Sequence, residues 1–156
     1  MQIAAFRSRI SQKMVSENNS RKFSQNIVPR FHLTFGILVL VVFLVTGGFM
    51  RADFPDKEII PQDFRLLMRS RHIYILFSSF MHILLGVYLR IETRVWRKIL
   101  QLFGSSVLIA GSILLIWAFV YETYTIRQFS EASRWGIYLC LGGTIFHFVG
   151  GVKVKE

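Results

Sequence analysis

Residues 99–121 read ILQLFGSSVLIAGSILLIWAFVY, which is 23 consecutive positions without Asp, Glu, Lys or Arg. Three more windows share this property: 31–50 with 20 residues, and 72–89 and 135–152 with 18 each. Together they make up half of the 156-residue chain. A helix of roughly 17–25 apolar residues crosses a bilayer. A soluble amphipathic helix would carry a charged stripe on its outward face, and none of the four windows has one. The expectation is an all-α integral membrane protein, a four-transmembrane-helix bundle with spans at about 31–50, 72–89, 99–121 and 135–152. Val, Ile and Phe are abundant in these windows and would suit strands. In hydrocarbon, however, each backbone N–H and C=O must be satisfied within the segment or in a closed barrel. Barrel strands are short and alternating, unlike these continuous runs.

The remaining charge is lopsided. The chain has 19 Lys and Arg against 9 Asp and Glu, a net charge of +10, while 53% of it is hydrophobic. Segments 1–30, 90–98 and 153–156 hold 12 Lys and Arg; segments 51–71 and 122–134 hold 7. The positive-inside rule therefore predicts both termini on the cytoplasmic side, or in the matrix of a mitochondrion. Tyr74, Trp117, Tyr121, Tyr124, Trp135 and Tyr138 fall near the outer boundary, and Tyr88 and Trp96 near the inner one, as aromatic belts do. The predicted location is a bacterial inner membrane, with the mitochondrial inner membrane as the alternative. Anionic lipid on the cytoplasmic face is the expected counter-surface for the positive charge, rather than nucleic acid. One cysteine, Cys140, excludes a disulfide scaffold.

Residues 1–30 form a basic N-terminal segment with Ile3, Phe6, Ile10 and Met14 at helical spacing. Three readings stand for it: a basic tail, an amphipathic helix on anionic lipid, or a mitochondrial presequence. No small-residue cleavage pattern follows the first apolar run, so Phe31–Met50 reads as a retained anchor within a membrane domain spanning 31–152. Residues 153–156 form a short tail. In the first outer loop Pro61 and Asp63 suit a helix start. A short interfacial helix is expected there, with Arg65, Arg69 and His72 on one stripe. That stripe contacts lipid phosphates or forms an anion site for a carboxylate or phosphate.

No phosphate-binding glycine loop, HExxH, paired carboxylate or CxxC is present. The candidates for chemistry are the histidines: His32 and His72 at span ends, His82 and His147 inside spans. An ionisable residue within a membrane is a functional hypothesis by default. On the fourth helix Gly136, Cys140, Gly143, His147 and Gly151 recur on one face. Ser79, His82 and Gly86 do so on the second, and Gly104 and Gly111 on the third. Small residues let helices, or a flat ligand, approach closely. His82 and His147 fall at similar expected depths. They read either as interhelical hydrogen-bonding groups, with Ser78, Ser79 or Thr144 as partners, or as axial ligands of one b-type haem. The architecture and histidine placement are similar to those of small haem-containing four-helix membrane proteins, though no motif names a family.

Three functions follow as expectations. The first is a non-enzymatic accessory or assembly subunit that packs against membrane-protein partners or a second copy. The alternative is a redox protein with one haem b on His82 and His147, and with Arg65, Arg69 and His72 near a propionate or quinone. A small transporter or channel is the third; no acid lies within a span and no inverted repeat is evident.

Overall fold

A computed structural model of the chain describes residues 2–53, 60–125 and 131–151, with side chains over 27–53, 60–122 and 131–151. The described residues form four helices: α1 (Gln2–Asp53), α2 (Gln62–Tyr88), α3 (Val95–Thr125) and α4 (Glu131–Gly151). Three are long and apolar enough to cross a membrane, over Ile27–Asp53, Gln62–Tyr88 and Val95–Glu122. At 1.5 Å per residue, a 27-residue segment is about 40 Å long, more than the roughly 30 Å hydrocarbon layer. The protein is therefore a helical membrane protein with at least these three candidate spans. In α4, 21 residues long, five glycines and His147 dilute the apolar content.

Two expectations about boundaries change. The basic N-terminal segment and the first span are one helix, with Pro29 inside it. The apolar face proposed for Ile3, Phe6, Ile10 and Met14 lies outside the described side chains, as do Tyr124 and the tail 153–156. The short interfacial helix is not a separate element. Pro61 sits at the N-cap of α2, and nothing between Gln62 and Tyr88 interrupts the helix, because the stretch lacks proline and its single glycine, Gly86, is near the end.

The helices pair as two antiparallel hairpins, α1 with α2 and α3 with α4, which meet mainly along α2 and α3. Glycine sets both pairings. A Cβ on Gly86 would lie 2.6 Å from the Leu33 backbone, and one on Gly143 would lie 2.8 Å from the Gly104 carbonyl oxygen. These are the close helix approaches that small residues permit in membranes. The hairpins also repeat one packing scheme. Gly36 seats against His82 and Ile83, and Gly104 seats against Phe146 and His147. Leu33 touches Gly86, and Gln101 touches Gly150. Positions 33 and 36 thus correspond to 101 and 104, and the 82–86 stretch of α2 to the 146–150 stretch of α4. The repeat is parallel, both hairpins running in the same sense, so a search for an inverted repeat does not find it.

Apolar packing fills the rest. Val39, Ile75 and Phe119 form one cluster between α1, α2 and α3. Leu108, Leu115 and Cys140 form another, flanked by Tyr74, Phe77 and Met81. Large apolar side chains such as Leu44, Ile73, Ile113, Val120, Ile145 and Phe148 are exposed on all four helices. A soluble protein rarely exposes this much contiguous apolar surface.

Candidate functional site

The site begins with a heptad pattern on α3. Gln101, Ser105, Leu108, Ser112, Leu115, Phe119 and Glu122 are all buried, at alternating steps of four and three. Such spacing lines one seam of a helix. It places two serines two turns apart on the face that meets α2 and α4. Met68, Arg71, Ile75, Ser78 and His82 follow the same spacing on α2, and Ser133, Gly136, Cys140, Gly143, His147 and Gly150 on α4. Gly150 rather than the expected Gly151 closes the α4 pattern; Gly151 is exposed and reaches only the Gln101 amide.

These seams bring three histidines together. His32 Nδ1 and His82 Nδ1 are 2.7 Å apart, and the rings stack with centroids 5.0 Å apart. His32 Nε2 lies 2.9 Å from Ser105 Oγ, and His82 Nε2 lies 3.0 Å from Ser112 Oγ. His147 Nε2 is 3.1 Å from Ser105 Oγ on its other side. Cys140 Sγ approaches Ser112 Oγ at 3.9 Å. The result is one chain across all four helices: His147, Ser105, His32, His82, Ser112. His32 and His82 are wholly buried, and His147 is 5% exposed. Ser78, Ser79 and Thr144, the expected histidine partners, instead donate to the carbonyls of Ile75, Gly36 and Cys140.

Proton counting says what this chain can do. An imidazole pair joined through both Nδ1 atoms needs one N–H and one bare nitrogen. Each serine has one proton to give. In one arrangement Ser112 donates to His82, His82 to His32, His32 to Ser105, and Ser105 to the Gln101 carbonyl at 3.0 Å. In the other, Ser105 donates to His32, His32 to His82, His82 to Ser112, and Ser112 to the Leu108 carbonyl at 2.9 Å. Every group stays neutral in both. Converting the first into the second requires one proton to enter at Ser112 and another to leave at Ser105, and the flanking carbonyls can neither supply nor take one. Whenever Ser105 donates to Gln101 or His32, His147 Nε2 must be a donor, which makes His147 Nδ1 a bare acceptor. That nitrogen is buried and has no protein partner.

A second polar cluster sits toward the α1–α2 loop end. Arg71 and Glu122, 2% and 3% exposed, face each other at 3.7 Å, and Ser133 donates to Glu122 at 3.2 Å. His72 stacks on Phe43 with centroids 4.0 Å apart, and its Nδ1 is 3.2 Å from Thr46 Oγ1. Val39, Ile75, Leu115 and Phe119 lie between this cluster and the histidine chain. The expected Arg65, Arg69 and His72 stripe does not gather: Arg69 is exposed, Arg65 is half-buried, and His72 turns to Phe43 and Thr46. Arg71, between them in sequence, is the buried one.

The geometry does not fit a haem on His82 and His147. Their Nε2 atoms engage serines seven residues apart on α3, about 10.5 Å along the helix axis, and His32 stands between them. The glycine faces that would floor a macrocycle are filled by neighbouring helices, with Cβ-to-backbone distances of 2.6–2.9 Å at Gly86, Gly104, Gly111 and Gly143. Among the described residues no group of three or more His, Cys, Asp or Glu is placed to hold a metal ion.

Reasoning from the sequence missed His32 as the central link, together with Ser105, Ser112, Arg71, Glu122 and Ser133. The Gln101–Glu122 heptad was the signal, since polar residues on a seam inside an apolar window have to find one another. Comparison with protein-family models, with curated proteins and with solved structures finds no match to this chain.

Proposed function

We propose that this chain is a four-span membrane protein with both termini inside, in a bacterial inner membrane or a mitochondrial one, working as a non-catalytic accessory or assembly subunit of a larger complex. One observation carries the reading. By the hairpin correspondence, Ile37 and Leu44 of α1 stand where Ser105 and Ser112 stand on α3. On α3 those positions form the seam with the other hairpin; on α1 they are 49% and 63% exposed. The face that one hairpin uses for helix packing is unpartnered on the other. Gly48 lies further along α1, and a Cβ there would meet nothing within 4 Å. Within the bundle, the His32–Ser105, His82–Ser112 and Arg71–Glu122 contacts join the hairpins, and the apolar layer of Val39, Ile75, Leu115 and Phe119 between them disfavours a pore.

The test is a photocrosslinking amino acid at Leu44 in the native membrane, with Phe80 of α2 as a comparison position. A discrete protein adduct at Leu44, including one with a second copy, supports the reading. Lipid adducts alone, with a monomer in nanodiscs, refute it. Orientation is tested separately by single-cysteine labelling in a Cys140→Ser background. Glu92 should be reached only from the inner side, and Gln62 only from the outer.

A further inference from the structure

We infer that the groove between α2, α3 and α4 at the α2–α3 loop end binds a lipid-soluble phenol or quinol, whose O–H donates to His147 Nδ1. The groove measures about 490 Å³ and is lined by Leu85, Tyr88, Thr144, His147, Phe148 and Gly151 among others. That volume lies within the roughly 300–1,000 Å³ of small-molecule clefts. It lies at the end of the bundle where the positive-inside rule puts the inner leaflet, so a membrane-dissolved molecule could enter it from the side.

Three features select the ligand. His147 turns its Nε2 toward Ser105 and its Cδ2 toward Gly104, which leaves the Nδ1 edge without a protein partner. Buried polar nitrogens are nearly always hydrogen-bonded, so an occupant of the groove has reason to supply the bond. In the arrangements in which Ser105 donates to Gln101 or His32 this nitrogen is an acceptor, and an O–H or N–H donor in the groove favours them over the one in which Ser105 donates to His147. Tyr88 and Phe148, 76% and 72% exposed, line the groove and offer aromatic surface for a flat ring. The groove is also held in shape. The Gln101 side chain donates to the Arg90 carbonyl at 3.2 Å and accepts from the Glu92 N–H at 3.0 Å, fixing the loop that forms its rim. Gln101 is fully buried, and its backbone carbonyl is one end of the histidine–serine chain. An occupant seated on Nδ1 would thus be linked through the His147 ring to Ser105 and the hydrogen-bonded chain behind it.

The experiment uses the full chain in nanodiscs, kept anaerobic, with decyl-benzoquinol as the probe and its di-O-methyl ether and 1-decanol as comparisons. Saturable binding of the quinol is expected, with both comparison molecules at least tenfold weaker, about 1.4 kcal/mol. His147→Phe should weaken the quinol at least tenfold. Phe148→Ala, at an exposed position that the fold does not need, should weaken it severalfold. Ser106→Ala, exposed and outside the groove, should change nothing. Binding that never saturates, equal affinity for the ether or for decanol, or wild-type affinity in both His147→Phe and Phe148→Ala would overturn the inference.

Discussion

Replacing His32 by Phe keeps an aromatic ring of similar size in a wholly buried position and removes two hydrogen bonds, at 2.7 Å to His82 and 2.9 Å to Ser105. Hydrogen bonds between membrane helices contribute about 0.6 kcal/mol on average and up to about 1.7. The cost should lie toward the upper end here, because His82 Nδ1 loses its His32 partner and a buried unsatisfied nitrogen costs about 1–3 kcal/mol. A loss of about 2–3 kcal/mol is expected for His32→Phe. Ser105→Ala removes contacts to both His32 and His147 and should cost about 1–2 kcal/mol. Combining the two changes removes the shared His32–Ser105 bond only once. The double variant should therefore fall short of the summed single costs by about 0.6–1.7 kcal/mol. Reversible unfolding in mixed micelles, followed by tryptophan fluorescence, measures all four corners of the cycle. Strict additivity, or a His32→Phe variant as stable as the parent, would refute the hydrogen-bonded chain as a structural element.

Gly86→Leu should separate α1 from α2 at a cost of at least about 1–3 kcal/mol, because its Cβ would sit 2.6 Å from the Leu33 backbone. Gly142→Ala has open space around its Cβ and should be neutral or slightly stabilising in the same unfolding assay. Glu122→Gln leaves Arg71 buried opposite a neutral amide and should cost about 3–5 kcal/mol; adding Arg71→Met should recover much of that loss. Protein purified from haem-replete cells should show no Soret band. A band that disappears in His82→Ala and His147→Ala would overturn the steric argument against a haem.

Three of the four expected spans coincide with helices long and apolar enough to cross a membrane, because lipid imposes a rule that sequence displays directly: long charge-free windows are expensive to place anywhere else. The site was legible only in part, and the reason is register. His82 and His147 stood out as ionisable residues within apolar windows, but their depths were judged from loop positions, and a histidine side chain reaches across about a turn of its own helix. A shift of that size separates two ligands facing one plane from two residues bonded to serines two turns apart. His32 was discounted as a span-end residue, since it lies two residues from Arg30. Yet α1 continues as helix on both sides of it, so it enters the bundle rather than the interface. Arg71 and Glu122 were read as charges marking the ends of windows. Each is also a member of the buried heptad on its helix, and that second property was written in the same residues.

The hairpin repeat accounts for the inequality between the two internal histidines. His82 and His147 hold similar places, each beside a glycine of the preceding helix. A symmetric union of the hairpins would give them equal partners. Position 32 breaks the equivalence: its counterpart on α3 is Leu100, so only His82 has an imidazole from the helix before it. His147 is left with one satisfied nitrogen and one open one, beside the groove that its own helix helps to line. The same asymmetry turns the Ile37–Leu44 face of α1 outward while its α3 counterpart is buried. An outward packing face and an open histidine nitrogen thus both lie where the two hairpins differ. Changes that restore the symmetry should remove both features together. Leu100→His combined with Ile37→Ser therefore tests the argument: it should lower crosslinking at Leu44 and quinol binding at His147 in the same protein. A variant that loses one and keeps the other would show that the two features arose separately.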